Sequence, residues 1–229
     1  MTLRLGLPSK GRLMEKAFAW FAERGVPIRR TGHDREYAAV AEGGDLSLLL
    51  LSAAEIPREL AAGRIHLGVT GSDIVRDRIA NWDQAVEVMA ELGFGFADLL
   101  VAVPSAWADV ETLDDLDAAA ADFRAEHGQR LRIATKYHRL VRDFLRDAGV
   151  ADYRLVDSQG ATEAVVRHGT AEAIADISST GETLRANHLK PLADGLIHRS
   201  QAVLFRARAA DWGEEERAAL IRVKGALGL

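Results

Sequence analysis

The sequence predicts an α/β fold in two lobes with a cleft between them, on three observations. Short apolar runs alternate with amphipathic stretches along the chain. A strand, a lysine-bearing loop and a helix occur in that order twice, as L-R-L-G-L-P-S-K-G-R-L at 3–13 and L-R-I-A-T-K-Y-H-R-L at 131–140. Each half then closes on a strand running into a Thr-Gly turn, L-G-V-T-G-S-D-I-V at 67–75 and A-D-I-S-S-T-G-E-T-L at 175–184.

Taken in order, Leu3 to Leu7 reads as a strand and Arg12 to Arg24 as an amphipathic helix that ends at Gly25-Val26. Leu46 to Leu51 is a continuous apolar run, the pattern of a buried strand, and Ile56 to Ala62 is a short helix. Leu67 to Thr70, Leu99 to Val103, Leu131 to Thr135, Tyr153 to Val156, Ala173 to Ile177 and Gln201 to Arg206 read as further strands, most of them separated by helices. The helix after Leu131 to Thr135 ends at Gly149-Val150, matching the first half. Two lobes of one plan place their lysine and Thr-Gly loops at the C-terminal ends of strands, facing a common cleft. No Gly/Ser or Pro linker marks the boundary between them.

Composition narrows the chemistry. The chain has 229 residues, 48% hydrophobic and 28% charged, and a formal net charge of -5. That charge argues against a general nucleic-acid binder, so an anionic ligand has to be met by a local basic site. There is no cysteine, which removes disulfides, thiol catalysis and thiolate metal sites. The first twenty residues carry no apolar signal core, and no run is long enough to span a membrane, so a cytoplasmic protein is expected.

The densest signal lies at residues 175–189, where an apolar strand empties into Ser178, Ser179, Thr180, Gly181 and Thr183 at the start of a helix. Hydroxyl donors, a glycine that permits close approach and the first N-H groups of a helix suit a phosphate, with Asp176 beside them for a sugar hydroxyl or a metal ion. The plainer reading of any one S-T-G is a helix cap. Lys10, Gly11 and Arg12 follow the first strand and suit a di- or triphosphate, although the spacing is not that of a P-loop. Arg35, in the polar stretch Asp34 to Tyr37, reads either as a phosphate fork or as a surface ion pair. Thr70, Gly71, Ser72 and Asp73 form a second anion-friendly turn, with Asp73 also placed to cap a helix. Lys136 and Tyr137 pair a cation with a ring that suits a phosphorylated, base-bearing ligand, or are a strand end with a snorkelling lysine. Ser158 to Glu163 add a polar turn in which Glu163 either binds a ribose hydroxyl or favours the first helical turn.

The seven histidines show no paired metal-ligand spacing, and there is no G-x-S-x-G elbow. What remains is phosphate binding without a nucleophile. Such a site suits a group transfer in which the protein positions two anionic substrates and stabilises a departing pyrophosphate, with magnesium brought by the substrate.

These same segments, L-P-S-K-G-R-L, L-G-V-T-G-S-D, R-I-A-T-K-Y and A-D-I-S-S-T-G-E-T-L-R-A-N-H-L, occur in an order that resembles the ATP phosphoribosyltransferases over nearly the whole chain. The resemblance implies a type II periplasmic-binding-protein-like fold, with residues 1–95 plus 190–229 as the first lobe and 96–189 as the second. It implies attack of adenine N1 of ATP on C1 of phosphoribosyl pyrophosphate, giving phosphoribosyl-ATP and pyrophosphate at the opening of histidine biosynthesis. Lys10, Arg12 and Arg35 then match the basic residues around the ATP phosphates and the leaving pyrophosphate. Asp176 to Thr183, with Glu163 nearby, match the residues that hold the ribose and its 5-phosphate.

The length resembles the short form of the family, which lacks a C-terminal regulatory domain. That form implies a homodimer assembling with a histidyl-tRNA-synthetase-like regulatory subunit in which histidine inhibition resides. Two positions depart from the pattern: Ser52 stands where an arginine is usual, and S-Q-G-A-T-E replaces a G-S-x-E turn. Two rival readings are a binding or effector-sensing domain of the same architecture and a salvage-type phosphoribosyltransferase. The latter usually carries two adjacent acidic residues before its Thr-Gly turn, where this chain has Asp176 alone.

Overall fold

A computed structural model describes residues 2–31, 38–41, 45–158, 162 and 164–229. The chain starts with β1 (Leu3–Pro8), α1 (Gly11–Glu23), β2 (Ile28–Thr31), β3 (Ala38–Ala41) and β4 (Leu46–Leu51). Next come α2 (Glu55–Ala61), β5 (Leu67–Gly71), α3 (Ser72–Arg78), α4 (Trp82–Ala85) and β6 (Val86–Glu91). β7 (Ala97–Pro104), α5 (Leu113–His127), β8 (Leu131–Thr135), α6 (His138–Asp147), β9 (Tyr153–Asp157), α7 (Ala164–Arg167), β10 (Ala173–Ser178), α8 (Glu182–Ala186) and β11 (Leu189–Ser200) follow. β12 (Ala202–Ala207) and α9 (Glu214–Leu227) complete it.

Among the described residues the strands form two sheets, of order β2-β3-β4-β1-β5-β12-β6 and β11-β7-β10-β8-β9. The chain divides accordingly into one unit of Met1–Phe96 with Gln201–Leu229 and a second of Ala97–Ser200. The return to the first unit therefore falls at Gln201, whereas the sequence reading set it at residue 190. The cause is β11, which runs antiparallel to β7 and belongs to the second sheet through Ser200.

In the first unit β1 lies parallel between β4 and β5, and its residues Leu3, Leu5 and Leu7 are fully buried. Phe21 and Trp20 of α1 and Ala219 and Val223 of α9 pack into the same core. Each such large apolar side chain removed from water contributes about 1.5–3 kcal/mol. His66 ties three segments together. Its Nδ1 accepts the backbone N-H of Arg4 at 3.0 Å, Nε2 lies 3.1 Å from the carbonyl of Asp211, and its ring meets Trp212 edge-on at 5.1 Å between centroids. These partners select the neutral ring protonated at Nε2. Burial pushes the pKa of His66 down, against the opposing pull of the Asp211 carbonyl.

In the second unit β8 lies parallel between β9 and β10, while β7 and β11 run antiparallel at the other side. Its core is built on Leu99, Val101, Leu131, Ile133, Val141 and Leu145. The helix α5 starts with a capping box between Thr112 and Asp115, and the N-H of Leu113 donates to Asp194 Oδ1 at 2.9 Å.

The repeat seen in the sequence is visible in the backbone. α1 is followed by Gly25 at φ +77°, with Gly25 N-H donating to Ala22 and Val26 N-H to Phe21. α6 is followed by Gly149 at φ +79°, with Gly149 N-H donating to Arg146 and Val150 N-H to Leu145. The offsets are identical, and each glycine takes the left-handed conformation that such a helix ending requires. Among the described residues no helix is long and apolar enough to cross a membrane.

Candidate active site

Each unit gathers three loops at the C-terminal ends of adjacent parallel strands, the place where open α/β sheets bind ligands. In the first unit these loops follow β1, β4 and β5. Ser9 is buried and its N-H donates to Leu51 at 2.8 Å, binding the first loop to the second. Lys10, Gly11 and Arg12 beyond it are exposed. Thr70 is fully buried, and its hydroxyl donates to the Ala53 carbonyl at 3.1 Å, binding the third loop to the second. Thr70 thus fastens the loops, while Gly71 caps α3 and Asp73, buried in its first turn, lies beneath them.

Ser52, where the family resemblance anticipates arginine, lies just before α2, whose cap residue is Ala54. Its N-H donates to Glu55 Oε2 at 2.8 Å and its Oγ accepts the Glu55 N-H at 3.3 Å. The exchange has the form of a capping box, and the Ser52 hydroxyl holds the Glu55 carboxyl below its usual range.

In the second unit the loops follow β8, β9 and β10. Lys136 Nζ lies 3.7 Å from Asp176 Oδ2; the carboxylate is buried and the lysine half-buried. Asp176 Oδ1 also accepts the Ile177 N-H at 2.8 Å, so the side chain is held from two sides. Thr135 is buried, and its hydroxyl accepts the N-H of Tyr137 at 3.0 Å. The Tyr137 ring packs into the core of the unit and is 8% exposed, so it offers no open face to a base. The Ser158 N-H donates to the Thr135 carbonyl at 3.2 Å, and Ser158 Oγ donates to Thr162 Oγ1 at 2.9 Å in a buried pair.

The loop from Ser178 to Gly181 turns on Gly181, at φ +71°. Ser178 Oγ accepts the Gly181 N-H at 3.1 Å, and Thr180 Oγ1 accepts the Glu182 N-H at 3.3 Å. Two of the N-H groups expected to await an anion are therefore satisfied within the loop. A hydroxyl that accepts in this way still has its own proton to donate. Arg185 reaches back from α8, its Nη2 donating to the Thr180 carbonyl at 3.3 Å. Ser179, Thr180 and Thr183 are exposed. A cavity of about 250 Å³ opens beside the loop, lined by Asp98, Leu100, Ser178, Ser179, Thr180, Gly181 and Arg185 among others.

The structure thus pairs Lys136 with Asp176 and gathers Ser178, Ser179, Thr180 and Gly181 beside one cavity in the second unit; in the first unit Lys10 precedes α1, and Arg12 and Asp73 lie in the first turns of α1 and α3. Arg35 and Glu163 lie outside the described residues. Sequence reasoning passed over Arg185 and Asp98; the position of Arg185, one helical turn after Gly181, was the available signal for it. Among the described residues no group of three His, Cys, Asp or Glu side chains is placed to hold a metal ion.

Residues 52–224 match the model of the family described as HisG: ATP phosphoribosyltransferase. The chain is 70% identical over 215 residues to the ATP phosphoribosyltransferase of Cereibacter sphaeroides, covering 93% of this chain and 91% of that protein. It is 53% identical over 226 residues to the enzyme of Brucella ovis, covering 97% and 98%.

Among solved structures, the ATP phosphoribosyl transferase (HisG:HisZ) complex from Thermotoga maritima superposes with a TM-score of 0.75 at 21% identity, over 99% of this chain and 96% of that one. A mutant of the ArgBP protein of T. maritima superposes at 0.53 with 14% identity, over 99% and 88%. These two likenesses establish the periplasmic-binding-protein-like α/β fold. The sequence relationships carry the assignment further: this chain belongs to the ATP phosphoribosyltransferase family.

Proposed function

We propose that the chain transfers the phosphoribosyl group of phosphoribosyl pyrophosphate to N1 of ATP, the first step of histidine biosynthesis. The adenine N1 lone pair forms the new bond to C1 as the bond from C1 to the pyrophosphate oxygen breaks, and the electron pair of that bond leaves with pyrophosphate. No base is needed at the attacking nitrogen. The rate then rests on positioning and on cations that stabilise the leaving group.

The observation that carries this reading is the Lys136–Asp176 pair at the Ser178–Gly181 turn, in a chain 70% identical to an ATP phosphoribosyltransferase. We assign Asp176 to the ribose hydroxyls, with Lys136 holding its carboxylate in place. Ser178, Ser179, Thr180, Gly181 and Thr183 are assigned to the 5-phosphate, with Glu163 as a further ribose contact. Lys10, Gly11, Arg12 and Arg35 take the polyphosphate of ATP and the departing pyrophosphate, and Gly71 and Asp73 border them. Magnesium travels with the substrates, and Asp176 is the carboxylate available to touch it.

A homodimer that assembles with a histidyl-tRNA-synthetase-like regulatory subunit is the expected working form, in the cytoplasm. A solved relative of the same fold is itself a HisG:HisZ complex, which supports that expectation. The test is to mix the purified chain with ATP, phosphoribosyl pyrophosphate and magnesium, with and without that subunit, and follow phosphoribosyl-ATP by ultraviolet absorbance. Product is expected in at least the mixture holding the subunit. Phosphoribosyl pyrophosphate bound in both mixtures with no product in either overturns the proposal in favour of a binding domain.

A further inference from the structure

A second basic site stands apart from the loops assigned to the substrates. Beside the second unit's edge strand, β9, a cavity of about 430 Å³ is lined by Arg130, His138, Arg142, Asp152, Tyr153 and Arg154, among others. The basic residues come from three different segments. His138 and Arg142 stand one turn apart on α6, Arg154 projects from β9, and Arg130 precedes β8.

Their pairing separates them from three other arginines of this unit. Arg124 is bound to Asp152, Arg132 to Glu172, and Arg146 to Asp143 and Asp147. Arg130, Arg142 and Arg154 are exposed, and none of them forms an ion pair with a described carboxylate. Asp152, the carboxylate in the lining, is already engaged by Arg124. His138 Nε2 lies 3.3 Å from Asp157 Oδ1, and the Tyr153 hydroxyl has no hydrogen-bond partner among the described residues.

Three guanidinium groups drawn around one cavity repel one another, a repulsion that a bound anion relieves. The planar fork of arginine matches phosphate oxygens two at a time. The cavity volume lies within the range of about 300–1,000 Å³ found for small-molecule sites, and the cations converge on it rather than spreading along a face. Those two features favour a compact ligand over an extended acidic protein segment.

We infer that this cavity binds a small anion bearing a chain of two or three phosphates, gripped by Arg142 from the helix, Arg154 from the strand and Arg130 from the segment before β8, with the Tyr153 hydroxyl as a fourth donor. The chain of phosphates can come from an inorganic polyphosphate or from a nucleotide. The site needs neither phosphoribosyl transfer nor the loops at Lys10 and Ser178.

The test is hydrogen–deuterium exchange on the whole chain at low salt, with inorganic tripolyphosphate and separately with ATP. Protection is expected over 138–142 and 151–155. In the Arg142→Ala/Arg154→Ala variant that protection should vanish and the affinity read at these segments should fall by about tenfold or more. Equal protection by the two ligands makes the phosphate chain the ligand; stronger protection by ATP adds the nucleoside. The Arg142→Lys/Arg154→Lys variant keeps the charge and loses the fork, and is expected to bind with intermediate strength. The inference is overturned if neither anion protects these segments in the wild type, or if protection persists unchanged in the alanine variant with its thermal unfolding unaltered.

Discussion

Lys136 and Asp176 stand at the ends of neighbouring parallel strands, with Nζ 3.7 Å from Oδ2. Thr135 and Ala175 are partners in the register of β8 and β10, so the residue after each is carried to the same edge of the sheet. The ammonium group compensates a buried carboxylate at the loop end of the sheet.

Replacing Asp176 by Asn keeps the acceptor for the Ile177 N-H and removes the charge. The protein is expected to fold with little change in Tm, while kcat/KM for phosphoribosyl pyrophosphate falls by about ten- to a hundredfold, the worth of a hydrogen bond to a charged group. Steady-state kinetics checks this. An unaltered kcat/KM would make the pair purely architectural.

Gly181→Ala tests the turn. At φ +71° an added Cβ is disfavoured by about 1–2 kcal/mol, and it would also come 3.1 Å from Arg185 Nη1, a flexible end that is able to move aside. The expected outcome is a loss of stability of that size in urea melts, together with a raised KM for phosphoribosyl pyrophosphate and little change in the KM for ATP.

His188→Gly should act in the opposite direction. His188 is a non-glycine residue at φ +56°, and its N-H donates to Arg185 at the end of α8. Relief of the left-handed strain, offset in part by the greater freedom of glycine in the unfolded chain, leaves a gain of about 0.5–1 kcal/mol. A higher Tm with unchanged turnover is the expected reading.

His66 makes stability depend on pH. Its pKa is lowered in the folded protein, chiefly by burial, so the unfolded chain takes up a proton at a higher pH than the native one. The contribution of His66 is therefore complete above the unfolded value of about 6.5 and declines as pH falls from there through the folded value. Protonation at Nδ1 also removes the acceptor for the Arg4 N-H. Urea melts between pH 8 and 5, values chosen to bracket about 6.5, should show this slope in the wild type and a shallower one in His66→Gln.

Much of the fold was legible because its central strands are buried on both faces and write themselves as apolar runs. β4 and β8 have the bounds that the sequence suggested, and β1, β5, β9 and β10 each extend one residue further. β11 was missed for a physical reason: Leu189–Ser200 contains Pro191, Gly195 and charged residues, and its register with β7 shifts twice, so no alternation of period two survives. β6 is an edge strand and was missed as well.

In the site, residue type and position after a strand pointed to the Ser178–Gly181 loop. They did not reveal that the Ser178 and Thr180 hydroxyls accept N-H groups of their own loop, since side-chain direction depends on the turn geometry rather than composition. Nor did they reveal that the Tyr137 ring turns inward, into the core of its unit.

The register of β7 with β11 pairs Ala97 with Ser200, the first and last residues of the second unit. A contiguous segment whose two ends are hydrogen-bonded neighbours has the topology of a cassette carried within a host chain. Exchanging it with its counterpart from a relative requires two junctions lying side by side, at 96/97 and 200/201. Chimaeras cut there would transplant one loop cluster whole and leave the other untouched, making each cluster's share of substrate selectivity heritable in a single genetic block.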